Sequence, residues 1–492
     1  MLLSRESRDN FARHKIFKFT PSIHGPKIWC MGMAKSKVFF MTDQPEGGGL
    51  EWYTAGIVAK AMKLFDDAKL YKCFNKGDSV AVKISYSGWL GVNYLRPTYI
   101  RAIVDKIKEH GGRPFLVDTT RMLEMGGSAT DAKMYLEMAN AAGYNALSMG
   151  CPVIIGDGTG YDDVRIEIPD GILLKQAYLA RAIAEADAMI VITRFKGHVK
   201  ASYAGVFKNV GIGCSSQRGK TYVHLILHPK IGIKKWKFNA YRCKGKKCSL
   251  WKLCDNECPV GARRVLDDHM EWDKERCVEC GSPAASIESF KCGVMVFPPE
   301  VLNWFKIALG DATSAFVRFL DKDRVGFITY ATDISPGCDC GQSAERPFIS
   351  DLGVFASADP VAIDTACLDM ATAQPGLPGS AAEKIGAMKP GSDKFPTIYP
   401  VGIGKSQSLF GLKWVTVNTA RILGIGSMDY ELVKPQPPPS DEFYKFFYPE
   451  IASLEKTAGW HRRKAFKIQD LHPPNYSYEP EPRVPIKELS RR

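Results

Sequence analysis

Short apolar runs alternate with stretches of helical periodicity along the first half of the chain, and this alternation restricts the fold more than any other feature. The runs are KVFFM (37–41), SVAVKIS (79–85), PFLV (114–117), PVIIG (152–156) and AMIVIT (188–193), and they read as strands. Between them TAGIVAKAMKLFDDA, PTYIRAIVDKIKEHGG, SATDAKMYLEMANAAG and ILLKQAYLARAIAEADA carry helical patterning. Gly111, Gly112 and Gly143 stand where those helices should stop. Repeated strand–helix alternation predicts an α/β fold, a mostly parallel sheet with helices on both faces. VGFITYA (325–331) and DPVAIDTACLDMA (359–371) resume the pattern after a cysteine-rich interruption. The chain therefore divides into an N-terminal extension (1–35), a first α/β part (36–236), a small cysteine-rich insertion (237–298), a second α/β part (299–433) and a Pro-rich tail (434–492).

In sheets of this kind ligands bind beyond the carboxyl ends of the strands. Three of the runs lead at once into polar residues: Asp118-Thr-Thr-Arg121, Asp157-Gly-Thr-Gly160 and Arg194-Phe-Lys-Gly-His198. Lys196, His198, Lys208 and Asn209 flank glycine-rich turns, and Lys220 and His224 follow shortly. Glycines let a ligand approach the backbone, and cations beside them suit a carboxylate or phosphate. His198 suits acid or base work near neutral pH. The expected catalytic residues are Lys196, His198 and Lys208, with Asn209, Lys220, His224 and Asp157 binding a cofactor or substrate. Any one of them alone is equally consistent with a hydrogen-bonded loop. Asp118, Asp157 and Asp351 are weaker candidates, because Asp at a strand end often caps the next helix.

Fourteen cysteines are present, and seven fall between Cys243 and Cys292. A chain with no export signal keeps its thiols reduced, so the cluster reads as metal ligands. Cys243-x4-Cys248-x5-Cys254-x3-Cys258-Pro259 ends as a ferredoxin run does, with its earlier intervals stretched. The second run opens as Cys277-Val-Glu-Cys280, but Pro283 stands where the third cysteine belongs and the next is Cys292. Ferredoxin wiring would give one 4Fe–4S cluster to Cys243, Cys248, Cys254 and Cys292. It would leave Cys258, Cys277 and Cys280 for a second centre, either 3Fe–4S or 4Fe–4S with a non-cysteine ligand, or for none. Cys338 and Cys340, two apart in SPGCDCGQ, are further candidate ligands or ordinary loop cysteines. Structural zinc is the competing reading. Cys30, Cys73, Cys151 and Cys367 are isolated and read as packing residues, and Cys214 stays open.

The formal net charge of +13 is spread along the whole chain, which argues against a nucleic-acid partner. One acid-free run, Lys234 to Lys247, leads into the cysteines. It reads as a solvated loop, as compensation for an anionic cluster, or as a docking patch for an acidic electron carrier such as ferredoxin or flavodoxin. With no apolar run approaching 18 residues and no secretory pattern, the expectation is a cytoplasmic protein without a membrane partner. No G-x-G-x-x-G follows a strand, so a dinucleotide is not indicated.

RPFLVDTTRM, PVIIGDG, RFKGHVKASYAGVFKNVGIGCSSQRGK, the cysteine array, PGCDC and DLGVFASADPVAIDTA occur in an order that resembles the iron–sulfur proteins grouped as domain of unknown function 362, over roughly residues 36–375. The resemblance implies an α/β host with an inserted ferredoxin-type domain binding 4Fe–4S clusters, and no established reaction. More distantly, FKGH…K resembles the nickel-dependent lactate racemase family. Two departures stand out: the incomplete second cysteine run, and Lys83-Ile-Ser-Tyr-Ser-Gly88 where many members read Lys-x-His-x-Gly-Glu. The function expected is an iron–sulfur oxidoreductase passing electrons to a small, anionic substrate or cofactor. A non-catalytic electron-transfer subunit and a racemase- or lyase-like enzyme with structural clusters are the alternatives. A homo-oligomer or a subunit of a complex is expected.

Overall fold

The computed structural model describes residues 35–43, 56–86, 93–122, 130–198, 200–224, 226, 237–249, 251–256, 258, 261–273, 275–276, 294–296, 301–337, 346–395 and 413–437. The strands in chain order are β1 Ser36–Thr42, β2 Ser79–Lys83, β3 Arg113–Asp118, β4 Val153–Ile155, β5 Asp163–Glu167, β6 Gln176–Ala180, β7 Ala188–Arg194, β8 Lys196–His198, β9 Ser202–Ala204, β10 Lys237–Phe238, β11 Arg263–Val265, β12 Met270–Trp272, β13 Met295–Val296, β14 Val325–Ala331, β15 Gly353–Ser357 and β16 Tyr430–Val433. The helices used below are α1 Ile57–Asp67, α2 Pro97–Glu109, α3 Ala132–Ala141, α4 Val206–Gly211, α5 Gln217–His224, α6 Trp251–Asn256, α7 Val301–Leu320, α8 Pro360–Ala373 and α9 Val415–Ile422.

Eight strands form one sheet in the order β16-β1-β15-β14-β7-β2-β3-β4. Every neighbouring pair is parallel except the two made by β15, so β15 alone runs against the rest. The expected mostly parallel α/β architecture is what the chain adopts. Its strands are apolar on both faces because both faces are covered. Val80, Val82, Ile190 and Ile192 pack with α1 and α2 on one side; Ala81, Met189 and Val191 pack with α4, α7 and α8 on the other. The period of two within each strand divides the two cores.

The helical stretches begin and end where local chemistry places them. Pro97 opens α2, and Gly111 and Gly143 follow α2 and α3 at φ +86° and +88°, a region that costs glycine nothing. One stretch departs from expectation. ILLKQAYLARAIAEADA contains strand β6, which pairs antiparallel with β5, before a single helical turn at Arg181–Ala184. Ala177 and Leu179 point into the core from β6 while Gln176 and Tyr178 are only partly buried, so pairing and burial override helix propensity there.

From β2 the chain steps outward to β3 and β4, then returns to lay β7 on the other side of β2. That reversal is a topological switch point, where the connections diverge and leave a crevice at the carboxyl ends of β2, β3 and β7. Helix α4 closes over it. Its first-turn amides are held by Asp364 of α8, which accepts from Val206 N (2.9 Å) and Phe207 N (3.3 Å), and the Tyr203 hydroxyl donates to it (3.1 Å). A side chain at Gly205 would begin 2.5 Å from that carboxylate, so glycine is required for this approach.

Burial pushes the Asp364 carboxyl up to about 7, against the three hydrogen bonds that favour its ionised form. A carboxyl raised above its unfolded value is protonated in both states below pH 4; the folded state is penalised increasingly from pH 4 to pH 7, and the penalty is constant above that. We therefore expect the melting-temperature difference between Asp364→Asn and the native chain to move in the variant's favour between pH 5 and 8. Over that range the swing would be about 3 kcal/mol, roughly two units at 1.36 kcal/mol per unit. Scanning calorimetry across that range checks this, and a difference independent of pH would contradict it.

Candidate functional site

A cavity of about 160 Å³ opens at this crevice. Its floor is built from the ends of three adjacent parallel strands. Lys83, the last residue of β2, is wholly buried and donates to Asp118 Oδ1 at the end of β3 (2.9 Å) and to Asn209 Oδ1 on α4 (2.8 Å). Asn209 Nδ2 donates to Ile192 O (3.1 Å) and Thr193 Oγ1 (3.0 Å) of β7, so one amide links β7 to the β2–β3 ion pair. The other oxygen of Asp118 accepts from Tyr86 N (3.0 Å) and from the Tyr135 hydroxyl (2.6 Å). Burial works against the Asp118 charge, but Lys83, Lys220 and these donors outweigh it and hold the carboxyl below its usual range.

The walls are cationic. Lys83, Lys196, Lys200, Lys208, Lys220, Arg121 and Arg194 line the cavity, and Asp118 is the one carboxylate among the described lining residues. Lys196 and His198 lie on β8, which forms a tight hairpin with β9. Ser202 begins β9 at φ +69°, an unusual conformation for a residue with a Cβ, and the hairpin pairing holds it there. The turn folds back so that Lys200 N and Ala201 N both donate to His198 Nδ1, each at 3.1 Å. Its proton therefore belongs on Nε2. Burial, then Lys208, Lys200, His224 and Lys196, push this imidazole well below 6.5, and it is neutral at physiological pH. His224, at the end of α5, has the opposite tautomer. Its Nδ1 lies 2.7 Å from Lys220 O, a group that can only accept, which leaves the Nε2 lone pair available. Burial, reinforced by Lys200, lowers it to about 3. Lys220 is lowered to about 8, chiefly by burial, while Asp157 and Asp118 oppose the shift. Its ammonium donates to Thr119 Oγ1, Thr120 O and Ser215 O.

Of the residues expected from sequence, Lys196, His198, Lys208, Asn209, Lys220 and His224 all meet in this one cavity. Lys208 and Asn209 do so from α4 rather than from a turn. Asp157 is fully buried and does not line it. Its carboxylate accepts from Thr120 N, Thr120 Oγ1 and Gln217 N at 2.7–2.9 Å and fastens the loop after β3 to α5. Asp351 accepts from Asp333 N in another loop. The sequence reading did not single out Lys83, Lys200 or Arg121 as site residues. A signal for Lys83 was present, a lone charge inside an otherwise apolar strand run, which in a doubly covered sheet must be paired.

Of the expected metal ligands, Cys243, Cys248, Cys254 and Cys258 are described; Cys277, Cys280, Cys292, Cys338 and Cys340 lie outside the described residues. Gly245 N donates to Cys243 Sγ (3.3 Å) and Ala262 N to Cys258 Sγ (3.1 Å). Among the described residues no three His, Cys, Asp or Glu side chains converge as a metal site, so the described half of the array is not a cage by itself. Cys73, Cys151, Cys214 and Cys367 are buried thiols whose pKa burial raises, to about 12, 11 and 12 for the first three, and they act as packing residues. Cys30 lies outside the described residues. No described helix is long and apolar enough to cross a membrane.

A family model described as "Domain of unknown function (DUF362)" matches residues 80–369. No curated protein matches the chain. Among solved structures, the lactate racemase apoprotein from Thermoanaerobacterium thermosaccharolyticum is similar at 12% identity, over 56% of this chain and 48% of that one, with a TM-score of 0.28. The chain thus spans about half the length of that enzyme.

Removing one partner of a buried ion pair costs about 3–5 kcal/mol, because the other charge stays buried. Asp118→Asn is expected to lose stability on that scale in urea denaturation, and Lys83→Met/Asp118→Asn to lose less than the single variant. A loss below about 1 kcal/mol for the single variant would show that the pair does not organise the site.

Proposed function

The chain belongs to the domain of unknown function 362 family, and we propose that it is an iron–sulfur oxidoreductase whose cationic cavity holds a small anionic substrate. The observation that carries this reading is where the cysteine-rich insertion leaves the α/β body. His224 ends α5 before it, Phe305 lies in α7 after it, and their rings meet at 4.8 Å in the cavity wall. Described residues shortly before and after the insertion therefore line the cavity. A 4Fe–4S centre, when bound by such thiolates, supplies one-electron transfer. The chain's own residues do the rest. Lys196, Lys200 and Lys208 neutralise the substrate's charge. His198 offers an Nε2–H that donates a hydrogen bond to the substrate, and His224 an Nε2 lone pair that accepts one from the other side.

The same two tautomers favour a second reading, a racemase- or lyase-like enzyme in which protons move without net electron transfer. The test is to purify the protein anaerobically. The reductase reading expects a brown protein with iron and acid-labile sulfide, and loss of turnover with unchanged iron in Lys196→Met and His198→Gln. A colourless protein with stoichiometric zinc removes that reading and leaves the proton-transfer one. Unchanged electron transfer in both variants would instead mark the chain as a carrier subunit.

A further inference from the structure

The described part of the cysteine-rich insertion carries a surface that the cavity does not use. Two single helical turns, Ala240–Arg242 and Gly245–Lys247, are each followed at once by a cysteine, Cys243 and Cys248. The Cys243 amide donates to Ala240 O and the Cys248 amide to Gly245 O, both at 3.0 Å, so each cysteine is pinned to the end of its turn. The second turn rests on the tip of the β11–β12 hairpin. Lys246 N donates to Leu266 O (2.9 Å), and a side chain at Gly245 would begin 2.3 Å from the Asp267 backbone. Both cysteines are half-buried, while their neighbours Tyr241, Arg242, Lys244, Lys246 and Lys247 are exposed.

Among the described residues, Lys246 alone of these four cations has a carboxylate within ion-pair distance, Asp267 at 2.9 Å. Asp268 is held by His269 Nδ1 (2.6 Å) and feels Lys247 more weakly. Tyr241 is 92% exposed, more than any other large apolar side chain described. A bare tyrosine among arginine and lysine is the composition of a protein interface rather than of a solvated loop. Its limits narrow the partner. Asp267, Asp268, Glu271 and Asp273 are exposed on and just beyond the adjoining hairpin, so the positive area stops there. A nucleic acid needs cations in a row along its backbone, whereas a bounded patch suits a protein with a compact acidic face.

We propose that Tyr241, Arg242, Lys244 and Lys247 form the docking surface for an acidic one-electron carrier protein, which binds beside Cys243 and Cys248. The proposal rests on the iron–sulfur reading above and supplies its electron source: one electron leaves the carrier's reduced cofactor and arrives on the iron–sulfur centre. Interfaces of electron carriers are small and short-lived, so a few exposed charges around one aromatic ring suffice. Such charges act mainly by steering the encounter, which makes the rate depend on salt.

The test uses the full chain purified anaerobically, with reduced flavodoxin as the acidic carrier and reduced methyl viologen, a small cation, as the control reductant. Bleaching of the visible absorption gives the rate of reduction, and calorimetry gives flavodoxin binding independently of the metal content. Reduction by flavodoxin should slow about tenfold between low and high salt, and about as much at low salt in Arg242→Glu/Lys244→Glu/Lys247→Glu. Tyr241→Ala should weaken binding roughly tenfold while leaving the salt dependence in place. Lys244→Gln, which only removes a charge, should show a smaller loss in the same direction. Iron content and reduction by methyl viologen should be unchanged in all three.

Reduction by flavodoxin that none of the variants alters overturns the docking surface and keeps the iron–sulfur reading. Equal slowing with methyl viologen shows that the cations tune the centre, and also overturns it. A colourless chain that binds flavodoxin with the stated losses keeps the surface and removes the iron–sulfur reading; one that binds none overturns both. Vesicles of equal parts phosphatidylserine and phosphatidylcholine, or a DNA duplex, bound through these residues while flavodoxin is not, would assign the surface to another partner and overturn the proposal.

Discussion

Lys83 is the constraint around which this site is organised. A charged amine with no exposed surface at the end of a central strand must be compensated on the spot, and removing either partner leaves an unpaired charge in a poorly solvated interior. The compensation reaches across three strands: Asp118 from β3 by charge, and Asn209 from α4 by a hydrogen bond that continues to the end of β7. The alignment of β2 with β3 and β7, level at Val117 and Val191, therefore sets the position of α4 as well as the floor of the cavity. A shift of one residue in β2 would turn Lys83 to the other face of the sheet, and one in β3 would turn Asp118 away from it.

A second strain is imposed on top of that. The lysines above the floor repel one another, both imidazoles are held neutral, and Lys220 is brought down to about 8. Asp364, which anchors α4 beneath them, is itself raised to about 7. Folding alone rewards none of this, since well-packed apolar residues would be at least as stable as buried ionic ones. Groups shifted this far and gathered at the carboxyl ends of parallel strands are what a binding site requires, and the stability they cost is drawn from the two apolar cores on either side of the sheet.

The sheet was legible because periodicity reports burial directly. Each expected strand from KVFFM to AMIVIT lies in the sheet, and β14 and α8 were legible after the interruption. β15 and β6 were not singled out as strands. The first is an antiparallel strand among parallel ones; the second lies within a sequence of good helix formers and owes its state to β5. The site was legible as a set, since glycine-rich turns with nearby cations lie close together in sequence between residues 196 and 224. Its floor was not, because the Lys83–Asp118 contact joins residues 35 apart, and the Lys83–Asn209 contact residues 126 apart, through strand order that composition does not encode. Asp157 illustrates the converse error. An acid just past a strand resembles a ligand-binding group, yet three donors already occupy it in the loop it ties down.

The point at which the cysteine-rich segment enters also follows from the sheet. It interrupts the connection from β7 to β14 between helices α5 and α7, so it lengthens a crossover without disturbing the strands. A segment on a flexible tether would not hold a redox centre at a constant distance from a substrate. Here Cys254, Val265, Met270 and Val294 belong to the same apolar core as Phe305 and α7, and Cys243 and Trp251 pack against it. The described part of the insertion is thus fixed to the body by burial.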